Sequence, residues 1–175
     1  MGSLEILKQS LSQVLWAFGD DSVDLLRDLH ERAGQRATGE TLEQFATEQE
    51  EKGDTIIQTV SGADHIYFLQ YGRGASSGGE GILKEIIYRW ADVKGIFAGI
   101  EKEYQKRSIA YAITKKIHEE GTYLKRFGKT FSGFENPVNS AFDTARLEKL
   151  KKDLGEAFVL NIENYLITEF EKNKK

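Results

Sequence analysis

A glycine- and serine-rich loop is the first place in this chain where residue types and spacing suggest chemistry. The loop spans 74–80 and reads GASSGGE. Such loops hold phosphates when a lysine and a hydroxyl follow the second glycine, or when a strand precedes them and an acid follows about twenty residues later. Here no lysine stands at the required place, Glu80 would repel a phosphate, and the preceding segment has helical periodicity. We therefore interpret 74–81 as a flexible connector and not as a nucleotide site.

The other residue types that carry chemistry also form no recognisable site. His30, His65 and His118 are far apart and have none of the usual spacings of metal ligands. The absence of cysteine excludes thiolate ligands, disulfides and a catalytic thiol. No serine lies in a nucleophile-elbow sequence, and the carboxylates occur in runs typical of solvated surfaces. The sequence thus predicts no catalytic residue, no metal and no cofactor, and a protein that is not an enzyme.

The charge of the chain is small in sum but unevenly distributed. Residues 1–64 carry 5 Lys and Arg against 13 Asp and Glu, residues 65–145 carry 12 against 9, and residues 146–175 carry 7 against 6. One interpretation is that these charges simply lie on surfaces exposed to water. The other is a bipolar molecule whose acidic end contacts the basic part of a neighbouring copy. A nucleic-acid-binding domain is more often basic throughout.

The sequence contains no segment that predicts membrane contact. Its longest apolar runs are far shorter than a membrane-spanning helix. The first ten residues contain Glu5 and lack the apolar core of a secretion signal. We therefore expect a protein that is made in, and stays in, a cytoplasm.

Hydrophobic periodicity predicts an α+β fold that is rich in helix, with a small antiparallel sheet and a long amphipathic C-terminal helix. A single domain over 1–175 is expected from the length. N-terminal helices are predicted over 3–36, with an interruption at 19–22. A strand pair and the Gly-Ser loop follow over 41–81, with a hairpin turn at 52–54.

The second half of the chain is predicted to be mostly helical. A helical body spans 82–121, an irregular segment spans 122–136, and one or two C-terminal helices span 137–172. Asn136 and Pro137 are typical of an N-cap and of the first helical position. The residues expected just beyond helix ends are the glycines Gly95 and Gly121.

Large apolar side chains at helical spacing are predicted to anchor the core. Tyr67 and Tyr71 are expected to pack a short helix inward, and Gly72 is expected to end that helix in a left-handed conformation. The predicted core anchors are Phe68, Trp90, Ile113 and Ile117.

Several segments form an ordered set. ATGETLEQF at 37–45 precedes the strand pair, and IYFLQYGRGAS follows it at 66–76. IIYRWADVKGI stands at 86–96 and AYAITKKIHEEGTYLKR at 110–126. The first two resemble the Thr-Gly-x-Leu and Tyr-x-x-x-x-Glu/Gln-Tyr/Phe-Gly-Thr/Arg patterns of the head–tail joining proteins of long-tailed bacteriophages, also called neck or tail-completion proteins. The last two resemble Trp-x-x-x-Lys-Gly and Ile-x-x-x-Gly-Thr segments of versions from phages of Bacteroidetes-like hosts.

The resemblance covers about residues 37–140 and departs from the pattern at two places. Gln70 stands where an acid is common, and Glu40-Thr41 stand in place of a single residue before Leu42. The resemblance implies a virion protein of the head–tail junction, assembled in the host cytoplasm. Such proteins form a ring between the portal–connector stack and the tail, or cap the tail tube. The implied partners are copies of itself, portal, connector and tail proteins, and genomic DNA that passes without sequence specificity.

Two groups of residues are candidates for contacts in such a ring. Arg73 follows a predicted helix end, where its planar guanidinium suits a carboxylate on a neighbour; an intrachain salt bridge is the alternative. The proposed subunit interface comprises Tyr71, Gly72, Arg73 and Gly74. The basic cluster, which would face DNA, an acidic neighbour or solvent, comprises Lys115, Lys116, Lys125, Arg126 and Lys129.

Two other classes of protein stay open. A nucleic-acid-binding or assembly module would use the basic cluster at 115–129 together with aromatic stacking groups. An enzyme of unrecognised type, such as a hydrolase with paired acids, would need a deep pocket with perturbed carboxylates. The candidate stacking residues are Tyr104, Tyr111, Tyr123 and Phe127.

Overall fold

The computed structural model describes residues 3–34, 39–77, 82–122 and 136–172. These ranges form helices and a two-stranded antiparallel sheet, which confirms the predicted helix-rich α+β class. None of the described helices is both long and apolar enough to cross a membrane. In chain order the elements are α1 (Ser3–Arg32), α2 (Glu40–Glu43), β1 (Ala46–Lys52), β2 (Thr55–Ser61), α3 (Ile66–Tyr71), α4 (Leu83–Val93), α5 (Glu103–Glu120), α6 (Pro137–Ala141) and α7 (Thr144–Lys172).

The chain divides into two compact units. Unit 1 comprises 1–28, 45–61 and 138–175, and unit 2 comprises 29–44 and 62–137. Each unit is therefore assembled from segments that are separated in sequence. The single domain expected from the length remains a prediction.

Helix α1 continues without interruption through Gly19, where the sequence predicted a break. Gly19 is buried because side chains of the hairpin approach it closely. A Cβ atom at this position would lie far inside van der Waals contact of Thr47 Oγ1 and Gln58 Nε2. Next to it, the buried Ser22 donates its hydroxyl to the Phe18 carbonyl at 2.7 Å, a bond within the helix. The glycine therefore marks a close approach of two elements and not a helix end.

Strands β1 and β2 form a hairpin around the predicted turn, where Gly53 has a φ of 61°. The strand expected from residue 41 begins only at Ala46, because Glu40–Glu43 form a helical turn. Leu42 and Phe45 are both buried, and a spacing of three residues suits a helical turn better than an alternating strand. The sequence prediction was therefore wrong for the first part of this strand.

The hairpin contacts α1 through a face that is polar at its centre. Gln49 Nε2 donates to the Ser12 carbonyl at 3.0 Å and to Gln58 Oε1 at 2.8 Å. The Ser12 hydroxyl donates to Gln49 Oε1, and Gln58 Nε2 donates to Thr47 Oγ1. On both sides of this network the face is completed by the half-buried Ile56 and Val60.

In unit 1, the first part of α7 is held to α1 by Arg146. Its Nη2 lies 2.9 Å from Asp21 Oδ2 and 3.2 Å from the Ser22 hydroxyl. Its Nε donates to the Ala141 carbonyl at 2.8 Å, and its guanidinium carbon lies 5.5 Å from the centre of the Phe18 ring. A single side chain thus connects α7, the end of α6 and two turns of α1.

The predicted apolar stripe of α7 is buried only in part. Leu150 and Leu154 are half-buried, whereas Phe158, Leu166 and Phe170 are exposed. The second half of the helix therefore presents apolar side chains to solvent.

In unit 2, α4 and α5 pack around a small core of Ala91, Phe97 and Ala110. Trp90 was predicted to anchor the core, but the residue is 39% exposed. It precedes Ala91 by one position, and a step of 100° around the helix moves it to the side of the contact face. The prediction for Trp90 was therefore wrong.

On α5, the buried positions are Ala110 and Thr114. The predicted anchors Ile113 and Ile117 are only half-buried, because each lies at the edge of this face. The helix boundaries agree better with the sequence. The confirmed boundary residues are Gly95 with a φ of 70°, Gly121 with a φ of 79°, and Pro137 at the start of α6.

Candidate functional site

The segment after α3 is fixed to the C-terminal end of α5 by hydrogen bonds between two pairs of residues. The Thr122 N–H donates to the Arg73 carbonyl, and the Arg73 N–H donates to the Thr122 hydroxyl, both at 2.8 Å. The Ser76 N–H donates to the His118 carbonyl at 2.8 Å, and the Ser76 hydroxyl lies 2.7 Å from His118 Nδ1. We call these four residues the loop clip.

The loop clip changes the interpretation of the Gly-Ser loop. The sequence predicted a flexible connector, but Arg73 and Ser76 hold its first part against α5. Residues 78–81 of that loop lie outside the described residues. The predicted interface at 71–74 is therefore part of a segment that is fixed by hydrogen bonds.

Two glycines make this path of the chain possible. Gly72 ends α3 with a positive φ of 74°, as predicted, but its ψ of 164° is not that of the left-handed helix. Gly121 ends α5 with a φ of 79° and a ψ of −178°, a region that is almost restricted to glycine. A Cβ atom on Gly121 would lie 2.7 Å from the Arg73 carbonyl oxygen and 3.1 Å from the Ala75 nitrogen.

A further hydrogen bond joins α3 to the segment before α6. The Asn136 Nδ2 donates to the Gln70 carbonyl at 3.3 Å, and both residues are buried. Gln70 is the position where the resembled pattern commonly has an acid. This contact uses its backbone oxygen, so it forms whether the side chain is an amide or an acid.

The aromatic residues of α3 lie at the surface and not in the core. Phe68, a predicted core anchor, is 49% exposed, and Tyr67 and Tyr71 are exposed more. The Tyr67 ring centre lies 4.9 Å from that of Tyr71 and 5.8 Å from that of Phe68. This six-residue helix buries Gln70 instead. We call the three rings the α3 aromatic cluster; the core prediction was wrong, and the interface role of 71–74 stays a prediction.

The basic cluster is only partly described. Lys115 and Lys116 are exposed on α5, and Lys115 Nζ lies 3.7 Å from Glu119 Oε1. Such an exposed pair contributes little to stability. The predicted residues that lie outside the described part of the chain are Lys125, Arg126, Lys129, Tyr123 and Phe127.

Two exposed tyrosines of unit 2 lie next to lysines. Lys84 Nζ is 5.9 Å from the centre of the Tyr111 ring, and Lys102 Nζ is 6.0 Å from that of Tyr104. Both rings are exposed, and both were predicted as stacking groups. Proteins that bind single-stranded nucleic acid without sequence preference contact it through cationic and aromatic side chains of this kind.

The Ser76–His118 contact has the distance of a nucleophile and its general base. The backbone bond between the same two residues gives it a structural role, because both contacts hold the loop on α5. Within the described ranges, no group of three His, Asp or Glu residues lies close enough to hold a metal ion.

Tyr88 has a raised pKa because of a charged group on α5. Its hydroxyl donates to Glu103 Oε2 at 2.9 Å, and this bond is the main cause. Partial desolvation and the negative charges of Glu103 and Asp92 act in the same direction, and Arg107 opposes them. The raised pKa means that the bond contributes stability below pH 10.0, the usual pKa of tyrosine, and that this contribution is lost as the pH rises through the folded pKa.

We expect a difference titration of wild type and Tyr88→Phe, followed by tyrosinate absorbance, to show Tyr88 ionising above pH 10.0. Glu103→Gln is the control, since it removes the charge and should return the pKa towards its usual value. Ionisation of Tyr88 at or below pH 10.0 in the wild type would contradict the Tyr88–Glu103 bond.

The sequence contained a signal for half of the loop clip. Gly121 and Thr122 are the Gly-Thr of the segment at 110–126 that resembles the joining proteins. The pairing of Ser76 with His118 had no signal, because a contact across 42 residues leaves no local pattern. Comparisons with models of protein families, with curated proteins and with solved structures found no match.

Proposed function

We propose that this chain is a structural virion protein of a tailed bacteriophage that forms part of the head–tail connector or neck ring through which the genome passes. The observation that carries the proposal is the loop clip. It joins two of the resembled segments, at 66–76 and 110–126, through Arg73 and Thr122, which are 49 residues apart. The two segments resemble the same family, occur in the same order and contact each other. This is expected if the chain has the fold of that family.

The surface beside the loop clip supports a role in contacts between proteins. The α3 aromatic cluster is exposed directly before the segment that the clip fixes. Exposed aromatic side chains on a fixed backbone are typical of interface anchors. In a ring, this surface would contact a neighbouring copy, or a portal, connector or tail protein, during assembly in the host cytoplasm.

The proposal is tested on particles of the phage that encodes this chain. Antibodies raised against the full chain and labelled with gold are expected to mark the head–tail junction of purified particles. A nonsense mutation in the gene is expected to give heads and tails that are not joined, and expression of the chain in trans should restore joining. Joined, infectious particles that lack the chain would overturn the proposal.

A second candidate function is sequence-independent binding of nucleic acid, favoured by the Lys84–Tyr111 and Lys102–Tyr104 pairs. A gel shift with single-stranded DNA of mixed sequence discriminates between the two functions. A nucleic-acid-binding module should bind tightly at low salt and lose affinity steeply as salt rises. A ring protein without other partners should bind weakly at every salt concentration.

A further inference from the structure

Between Gly155 and Glu171, α7 carries apolar side chains on all sides, and its charged residues are all acidic. From Gly155 to Glu171 the sequence contains four glutamates and no lysine or arginine. A helix that is apolar all round is normally buried against other protein. One line along it consists of Val159, Glu163, Leu166 and Phe170, which follow at spacings of four, three and four and are all exposed. We call this line the acidic face.

Helix α4 has an exposed line with the same spacing. Its inner side packs on α5 through Ile87 and Ala91. The exposed line starts at the N-cap residue of α4 and comprises Ile82, Ile86, Arg89 and Val93, again at spacings of four, three and four. We call this line the basic face, because its one charged residue is Arg89.

The two faces match when the helices are antiparallel. Val93 then lies opposite Val159, Arg89 opposite Glu163, Ile86 opposite Leu166, and Ile82 opposite Phe170. The faces also have the same length, about 16 Å at 1.5 Å per residue. The apolar side chains are well exposed on both sides, with Ile86 at 50% and Leu166 at 47%.

The charges specify the pairing. Two apolar helices can pack in several registers that differ by one turn. A single ion pair between them disfavours all registers but one, because in the others both charges are buried without a partner. Arg89 and Glu163 occupy the one position in their lines where the chemistry is not apolar. They have opposite charge and come into register with the apolar pairs.

We propose that the acidic face of one copy binds the basic face of a second copy, with Glu163 of the first paired to Arg89 of the second. Each copy carries both faces, so the contact is heterologous and repeats from copy to copy. A repeated heterologous contact gives a ring if the rotation closes, and an open filament if it does not. The inference rests on the proposed function in one respect, since it identifies the contact by which the ring would form.

The test is the mass of the full-length chain in solution, measured by light scattering over a range of concentrations. The wild type is expected to self-associate. Ile86→Lys breaks the basic face and Leu166→Lys breaks the acidic face, so each variant alone should associate at least about tenfold more weakly. An equal mixture of the two variants retains one intact contact and should form dimers but nothing larger.

A charge exchange tests the register. Arg89→Glu and Glu163→Arg should each weaken association about tenfold or more, and the two together in one chain should recover most of it. Ile57→Lys is the matched control, because Ile57 is exposed to a similar degree on the hairpin and belongs to neither face. Circular dichroism of each variant shows that the helices are retained.

Three results would overturn this proposal: a wild type that stays monomeric, an Ile86→Lys variant that associates like the wild type, or a double exchange that does not recover association. These results are distinct from failure of the proposed function. If gold label marks the head–tail junction but the face variants associate normally, only the contact is wrong. If the variants behave as expected but particles lack the chain, only the location is wrong.

Discussion

Gly121→Ala is expected to lower the free energy of unfolding by about 3 kcal/mol. Two causes add. The φ of 79° and ψ of −178° at this position are strained for any residue with a Cβ atom. The new methyl group would also lie 2.7 Å from the Arg73 carbonyl oxygen.

The second cause cannot be relieved by a small movement. The Arg73 carbonyl is a backbone atom, and it accepts the hydrogen bond of the Thr122 N–H. A shift of Arg73 that relieves the clash therefore breaks the loop clip. Besides being less stable, the variant should lose protection from hydrogen exchange at the backbone N–H groups of Thr122 and Ser76.

Two other glycines separate these causes. Gly95 has a φ of 70°, but a Cβ atom there would meet nothing within 4 Å, so Gly95→Ala should cost only the strain, about 1 kcal/mol. Gly155 lies in α7 with open space around it, and Gly155→Ala should stabilise by up to about 1 kcal/mol. Urea denaturation measures all three variants. A loss at Gly121 no larger than at Gly95 would mean that the loop clip is open in solution.

Arg146→Ala is expected to lower the free energy of unfolding by about 2 kcal/mol. The substitution removes the donor to the Ala141 carbonyl and to the Ser22 hydroxyl, and the cation over the Phe18 ring. The Asp21 carboxylate is mostly exposed, so the ion pair itself contributes little. The loss comes mainly from the hydrogen bonds of a side chain that is only 23% exposed.

Two variants control for charge and for position on α7. Arg146→Lys keeps the charge but loses the planar fork, and should give an intermediate loss. Lys149→Ala removes an exposed ion pair one turn along the helix and should change stability by less than about 0.5 kcal/mol. Denaturation curves for the three variants test the order. Equal effects of Arg146→Ala and Lys149→Ala would show that Arg146 does not hold α7 to α1.

The features that the sequence predicts well are local ones. Gly95 and Gly121 follow helix ends because a positive φ suits glycine, and Pro137 begins α6 because its missing N–H is not needed there. The hairpin turn at Gly53 has the same origin. In each case the signal and its cause lie within a few residues of each other.

The features that the sequence predicts poorly depend on what lies opposite. Gly19 has the sequence signature of a break, but its real cause is the approach of Thr47 and Gln58 from the hairpin. Phe68 and Trp90 are large and apolar at helical spacing, yet Gln70 and Ala91 occupy the buried positions beside them. Periodicity shows that a helix has a preferred side, but its neighbours decide which side is covered.

The candidate site shows the same division. The sequence identified the segment at 71–74 and the Gly-Thr after α5, but it did not show that they meet. The loop clip depends on Arg73–Thr122 and Ser76–His118 pairs that are 49 and 42 residues apart. The sequence predicted that Lys115 and Lys116 lie on a helix, which is α5. It did not indicate that the loop clip contacts this helix.

The glutamine-centred face between α1 and the hairpin has a thermodynamic consequence. Exposure of apolar surface raises the heat capacity, and exposure of polar surface lowers it. If the hairpin separated from α1, exposure of Ile56 and Val60 would raise the heat capacity, and exposure of Gln49 and Gln58 would lower it. The two contributions offset each other, so this opening would change the heat capacity little. Exchange of the Gln49 side-chain amide hydrogens would still detect it, because Gln49 Nε2 donates to the Ser12 carbonyl of α1.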